Sequence, residues 1–415
     1  MVHCWNLTAR LLAGIPILFV AVAAPADPPK DRDVIALGAA VSLTGKYSLD
    51  GQNTKEGYDL AVQRINELGG VKVGSKSYKL QIVYYDDEST SARAAQLVER
   101  LVSQDGVQFL LGPYGSSITK AIAPITEKYR IPMIEANGAD RSLFNNGYKY
   151  LFAVLNTSDH YLRSAIDVVE EQVRKAGKEA TSLKVAIVIE NDDFAEDVRS
   201  GIIEETTRYG MRVVIDEKLP PELNDMSSAL TKVRALKPDV LVVSGHAKGA
   251  VLAIKQISEQ RVNVGALALT QCDAAQIVEK FGKAAEYALC ATQWDRTLAY
   301  KDRWFGSAED YAQRFEQQYK HTVTYGSAES SAAVLTFVDA LERAGSLDRE
   351  KVRDAIAATD LVTFYGPVRF DATGKNVAKS MALYQVQGGQ YRVVAPPKWA
   401  NTAVVYPAPE WDARR

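Results

Sequence analysis

The sequence predicts an α/β fold of two lobes, each a parallel sheet covered by helices. Three observations carry this. Apolar runs of strand length alternate with amphipathic stretches of helix length between residues 34 and 155. Runs such as VIALGAAV at 34–41 are apolar at consecutive positions, as strands covered on both faces require. The alternation then restarts, and LKVAIVIE at 183–190 opens the second stretch much as 34–41 opens the first. A chain of 415 residues is also long for one core. Its 47% hydrophobic and 24% charged residues are those of a globular protein, and a formal charge of −2 leaves no basic excess for nucleic acid.

The first 26 residues differ from the rest. Arg10 precedes an apolar run at 11–24, and Ala24-Pro25-Ala26 offers small residues before charge resumes at Asp27. This is the layout of a secretory signal peptide cleaved near Ala26. The run falls short of the ~20 residues that span a membrane. Cys4 precedes the run, against a lipoprotein signal. Export makes the remaining cysteines, Cys272 and Cys290, a candidate disulfide; the alternative is two buried thiols.

In chain order, a strand at 34–41 leads through a loop at 42–53 to a helix at 54–68, where Tyr58, Ala61, Val62 and Ile65 recur at helical spacing. Gly69-Gly70 ends it. Strand 78–86, helix 91–104, strand 107–111, helix 116–129, a short strand at 131–134, loop 135–141 and strand 150–155 complete the first unit. The second runs helix 158–175, strand 183–190, helix 195–209, strand 211–218, helix 226–236, strand 240–244, helix 249–260, strand 264–269, helix 274–281 and strand 287–291. Helices at 308–319, 327–344 and 349–358 follow, then strand-like pieces within 361–370 and a hairpin of 381–387 with 390–395 around Gly388-Gly389. Residues 397–415 read as a surface tail.

FLLGPYGSSIT at 109–119 is the stretch with the clearest chemistry. A strand stops, a glycine turn follows, and Ser116-Ser117 open a helix. The first amides of a helix lack intrahelical partners and point out along the positive end of its dipole, so such a turn receives anions; it is also an ordinary way to start a helix.

The sequence resembles the leucine/isoleucine/valine-binding family of periplasmic solute-binding proteins. The resemblance is carried, in order, by VSLTG at 41–45, GYDLAVQRINELGG at 57–70, YDDEST at 85–90, LLGPYGSSIT at 110–119, IPMI at 131–134 and FYGPVRFDATG at 364–374. It implies two doubly wound parallel-sheet lobes joined by three crossovers, with the ligand in the cleft. The crossovers fall near 154–156, 292–295 and 361–363, giving one lobe of 33–154 with 295–360 and another of 155–294 with 361–396. It further implies a periplasmic receptor that closes on a small carboxylate, a branched-chain or other hydrophobic amino acid, and delivers it to the membrane subunits of an ABC permease. An aromatic carboxylate, an amide or a purely sensory role are the alternatives.

By the same resemblance Ser116 takes the ligand carboxylate, with Tyr114 and Ser117 beside it. Asn137 and Ala139 stand in the second carboxylate segment, where Ala139 has only its backbone to offer. In the second lobe Phe194 stands for a stacking aromatic or a core residue, and His246 with Ala247 follows a buried strand. Gln271 and Asp273 lie where an ammonium-holding acid is expected; Asp273 reads equally as a helix cap. Asp50 and Tyr47 are candidates in the first loop, and Tyr325 stands near Ser331, where relatives carry a cleft tyrosine. No hydrolase, phosphate-loop, dinucleotide or zinc motif occurs, so neither an enzyme, a cofactor nor a metal is expected. The acid pairs Asp86-Asp87 and Asp192-Asp193 read as solvated loops.

Overall fold

The computed structural model describes Met1 and residues 33–221 and 224–414. The signal peptide expected at 1–26 lies, Met1 apart, outside them. The chain opens with β1 (Val34–Val41), α1 (Ser48–Glu67), β2 (Val71–Val73), β3 (Lys76–Asp86), α2 (Ser91–Ser103), β4 (Phe109–Leu111), α3 (Ser116–Tyr129), β5 (Met133–Glu135) and β6 (Leu151–Ala153). These strands form a sheet ordered β2-β3-β1-β4-β5-β6, parallel apart from the β2–β3 pair.

The second unit runs α4 (Arg163–Lys175), β7 (Lys184–Glu190), α5 (Asp193–Arg208), β8 (Arg212–Leu219), α6 (Ser227–Leu236), β9 (Val240–Ser244), α7 (Ala247–Glu259), β10 (Ala266–Leu269), α8 (Ile277–Phe281) and β11 (Leu289–Thr292). The chain continues through β12 (Lys301–Asp302), β13 (Gly306–Ser307), α9 (Ala308–Tyr319), α10 (Tyr325–Ala344), α11 (Arg349–Ala357), β14 (Asp360–Thr363), β15 (Gly366–Arg369), β16 (Ala382–Val386) and β17 (Tyr391–Ala395). The second sheet is ordered β17-β16-β11-β10-β9-β7-β8, with β16 and β17 antiparallel at one edge. The fold is the two-lobed, doubly wound α/β architecture.

In each sheet the strand order reverses beside its first strand, β1 or β7. Ligand crevices of open α/β sheets form at such points, beyond the carboxyl ends of the strands. Helix α10 returns to the first lobe and packs along α1. Gly57 permits this: a Cβ there would lie 2.2 Å from the Ser327 carbonyl oxygen.

The crossings are tied together by side-chain amides. Gln293 accepts from Asn156 N at 2.8 Å and donates to Tyr161 Oη at 2.8 Å. Asn376 Nδ2 donates to Val154 O at 2.7 Å, and Asn156 Nδ2 to Lys379 O at 3.1 Å. Residues 361–363, expected as the third crossing, lie within β14, in a hairpin with β15 that rests on β12 and α10. The chain passes Ala153, Val154 and Asn156 at 374–379, just before β16.

Helix α1 begins at Ser48, inside the expected loop 42–53, and so carries Asp50 in its first turn. Gly51, a turn signal in sequence, serves close approach here, since a Cβ there would lie 1.9 Å from Ser42 O. The helix expected at 274–281 is confined to α8 because Gln276 takes a left-handed φ of +53°. A disulfide joins Cys272 to Cys290 beside it. The tail lies on the second lobe, where Ala408 N donates to Gly265 O at 2.7 Å and Trp411 Nε1 to Val262 O at 2.9 Å.

Candidate functional site

The loop between β4 and α3 puts Ser116 at the first position of a 14-residue helix. Its N-cap is Gly115 at φ +92°, which brings no side chain to fill the first-turn amides. The missing Cβ would face the Tyr47 ring at 3.9 Å, so the helix start looks into the cleft. Ser116 is buried, and its Oγ accepts from Ala139 N at 3.1 Å and Asp140 N at 3.0 Å. That leaves the hydroxyl hydrogen to donate. Ser117 is half-buried and lines the cleft mouth. Asn137 turns its amide away, donating to Ser330 Oγ at 2.9 Å.

Beneath this turn lies Glu135, which the sequence reading passed over. Its Oε1 accepts from Ala136 N, Asn137 N and Gly138 N, and Oε2 accepts from Thr119 Oγ1 at 2.8 Å. Gly112 makes room, since a Cβ there would lie 2.2 Å from Oε2. Burial pushes the Glu135 carboxyl up to about 7 against the pull of those donors.

The facing wall comes from β7, β9 and the turns after them. His246 caps α7, and its buried ring joins the lobes: Nδ1 lies 2.9 Å from Tyr114 Oη, and Nε2 lies 2.7 Å from Asp192 Oδ2. Tyr47, Tyr114 and Phe194 surround the ring, with centroids at 4.4, 5.5 and 5.5 Å. Tyr161 meets Phe194 edge-on, and Tyr325 meets Tyr161. Burial pulls the imidazole down, but the carboxylates of Asp192, Glu190 and Asp50 outweigh it and raise it to about 9. As imidazolium, His246 donates from both nitrogens, to Tyr114 Oη and to Asp192.

The acids here correct the solvated-loop reading. The Asp192 side chain is 6% exposed; it caps α5 by accepting from Ala195 N at 2.9 Å. Asp87 is buried and accepts from Ser42 Oγ at 2.6 Å. Asp193 alone of the second pair faces outward, to Lys120 at 2.9 Å across the cleft rim. Glu190, at the end of β7, accepts from His246 N at 3.3 Å, and burial pushes it up to about 7. Glu190, Asp192 and His246 each offer one ligand atom, all within 4.8 Å of one another, a spacing that suits a metal ion only if the imidazole gives up a proton.

Asp50 completes the cluster. It is 3% exposed, and neither carboxylate oxygen has a hydrogen-bond partner among the described residues. Tyr114 Oη and Ala247 N face it without reaching hydrogen-bond geometry. Burial raises it to about 6, while His246 pulls the other way.

Asp273 and Gln271 follow the end of β10. Asp273 Oδ2 accepts from Tyr325 N at 2.8 Å, and Oδ1 accepts from Ala274 N at 2.9 Å, so it ties the lobes at the start of α10. Gln271 is buried in a left-handed turn at φ +57°. Cleft-mouth pockets of about 370 and 260 Å³ flank Tyr47 and Lys46; the first is lined by Asp192 and Ser117, the second by Glu190 and His246. A larger pocket of about 540 Å³ lies on the hinge side, around Arg163 and Lys379, away from these groups.

The family profile described as periplasmic binding protein matches residues 34–390, and the chain belongs to that family. It is 22% identical to Leu/Ile/Val-binding protein homolog 7 of Brucella suis over 411 residues, covering 96% of this chain and 97% of that protein. It is 25% identical to homolog 8 of the same organism over 402 residues, covering 94% and 96%. Among solved structures, LivJ of Streptococcus pneumoniae, a branched-chain amino acid transporter substrate-binding protein in complex with isoleucine, matches with a TM-score of 0.75 at 21% identity, covering 88% of this chain and 100% of that one. A solute-binding protein of an ABC transporter from R. palustris, in complex with benzoate, matches with a TM-score of 0.75 at 21% identity, covering 87% and 96%. The chain thus belongs to the periplasmic binding proteins, and these solved structures share its fold.

Proposed function

We propose that this protein is an exported receptor, cleaved near Ala26, that closes its two lobes on a small carboxylate solute and delivers it to an ABC permease. The solute we favour is an amino acid with a branched or other apolar side chain. One observation carries the reading. The uncapped start of α3, with Ser116 as its first residue and Gly115 against the Tyr47 ring, adjoins a cleft walled by Tyr47, Tyr114, Phe194 and His246. The helix start and hydroxyl suit a carboxylate, and the rings suit an apolar body. The Leu/Ile/Val-binding relatives, and the isoleucine and benzoate held by the two structural neighbours, support both halves.

Closure rests on contacts between the lobes. Lys120 meets Asp193, Lys248 Nζ reaches Gly45 O at 3.1 Å, and Arg141 Nε meets Asp197 at 2.7 Å. The amide-tied crossings would act as the hinge.

A thermal-shift and calorimetric screen of the mature chain against apolar amino acids, aromatic acids and amides tests the ligand class. Ser116→Ala should weaken every carboxylate ligand about 10- to 100-fold, the worth of one hydrogen bond to a charged group. Unchanged affinity in that variant would remove Ser116 from the site.

A further inference from the structure

We propose that Tyr325 reads a polar tip on the solute: the end away from the carboxylate carries a hydroxyl or carboxamide that pairs with the Tyr325 hydroxyl. This rests on the carboxylate reading of Ser116 and says how the apolar body ends. Tyr325 opens α10, which Thr324 caps by accepting from Ser327 N at 3.1 Å. The Tyr325 amide donates to Asp273 Oδ2 at 2.8 Å, so the second lobe holds this residue in place. Tyr325 is 3% exposed, yet its hydroxyl has no hydrogen-bond partner among the described residues.

The ring stands at the end of the aromatic wall. His246 adjoins Phe194, Phe194 meets Tyr161 at 5.3 Å between centroids, and Tyr161 meets Tyr325 at 6.3 Å. The ionisable groups that act on the Tyr325 hydroxyl are Tyr161, Asp273, Glu329 and Tyr114, and each is engaged elsewhere. Tyr161 Oη accepts from Gln293 Nε2 at 2.8 Å and faces Tyr325 without reaching hydrogen-bond geometry. Asp273 takes the Tyr325 and Ala274 amides, Glu329 Oε2 accepts from Tyr365 Oη at 3.1 Å, and Tyr114 Oη lies 2.9 Å from His246 Nδ1. A buried hydroxyl without a partner is costly, and a polar atom of the solute removes that cost. The start of α10 also adjoins the turn that meets Ser116: a Cβ on Gly326 would lie 3.3 Å from Asn137 Oδ1. Ser116 and Tyr325 thus belong to one cleft. A pocket of about 500 Å³, lined by Tyr325, Asp273, Trp294 and Tyr391, gives room at the Tyr325 end. A site that pairs a solute hydroxyl rejects the analogue lacking it far more strongly than an apolar pocket rejects a missing methylene.

The test is calorimetry on the mature chain with ligand pairs that differ only at the tip: tyrosine against phenylalanine, 3-(4-hydroxyphenyl)propanoate against 3-phenylpropanoate, glutamine against norvaline. The polar-tipped member of at least one pair should bind at least about tenfold tighter. Tyr325→Phe should erase that preference while sparing the apolar member. The same variant should not lower the melting temperature of the ligand-free protein, since no protein bond is lost. Ser116→Ala, by contrast, should weaken both members of a pair. Apolar members binding as tightly as their polar partners, a preference that survives Tyr325→Phe, or binding by no member of any pair would overturn the proposal. So would a melting temperature lowered by Tyr325→Phe, which would show that the hydroxyl has a protein partner. The Ser116 reading stands apart from these outcomes, and it fails if Ser116→Ala leaves carboxylate binding unchanged.

Discussion

Glu135 and Asp50 are buried acids on the same lobe, and their surroundings differ completely. Glu135 accepts three backbone amides and the Thr119 hydroxyl. Asp50 accepts nothing among the described residues. Burial raises both, to about 7 and about 6. The satisfied acid holds a turn together: residues 136–138 wrap its carboxylate, and that sets the backbone on which Ala139 N and Asp140 N meet Ser116. The unsatisfied acid holds nothing in the protein. Perturbed titration alone does not separate the two roles; counting donors does.

The contrast can be broken by substitution. Glu135→Ala orphans three amides and a hydroxyl, each at a cost of about 1–3 kcal/mol, so stability should fall by at least about 4 kcal/mol in urea titrations. Glu135→Gln keeps an acceptor and should lose less. Similar, small losses for both would mean the wrapped turn is not held by this acid.

His246 sharpens the comparison from the other side. Its folded value, about 9, lies above the ordinary 6.5, so the native state binds its proton more tightly than the unfolded chain. The stability it confers, on the order of 3 kcal/mol, is full below pH 6.5 and is lost as pH rises through about 9. His246→Gln should flatten that alkaline decline in melting temperature. A decline unchanged in the variant would place it elsewhere.

The last effect belongs to Asp50, and its sign is opposite. Asp50→Asn should leave stability at neutral pH unchanged or raise it by up to about 3 kcal/mol, because the cost of ionising a buried acid is removed. The raised folded value carries a sign of its own. Asp50 disfavours the native state increasingly as pH rises from about 4 through 6, and the variant should lack that term. A large destabilisation would show that Asp50 has structural partners after all.

Much of the fold could be read from pattern alone. The buried runs at 34–41 and 240–244 gave their strands, and the spacing at 308–319 gave its helix, because periodicity is a local property. The site was less legible, for reasons visible in particular residues. Ser116 stood out because a glycine turn and a helix start adjoin in sequence. Glu135 did not, since its donors come from backbone that folds around it. Asp192 reads as one of two surface acids until its neighbour Asp193 is seen to face Lys120 while it faces His246. The loop expected at 42–53 takes in Asp50 because glycines signal turns, whereas here Gly51 marks contact between helix and strand end. Charge partners drawn from different lobes leave no local trace in sequence.

The contact at Gly51 fixes more than a backbone. With no room for a Cβ against Ser42, the first turn of α1 is bolted to the end of β1, and Asp50 is held with it. A carboxylate pinned in this way cannot relax by moving aside, so it has to be neutralised, solvated or paired where it stands.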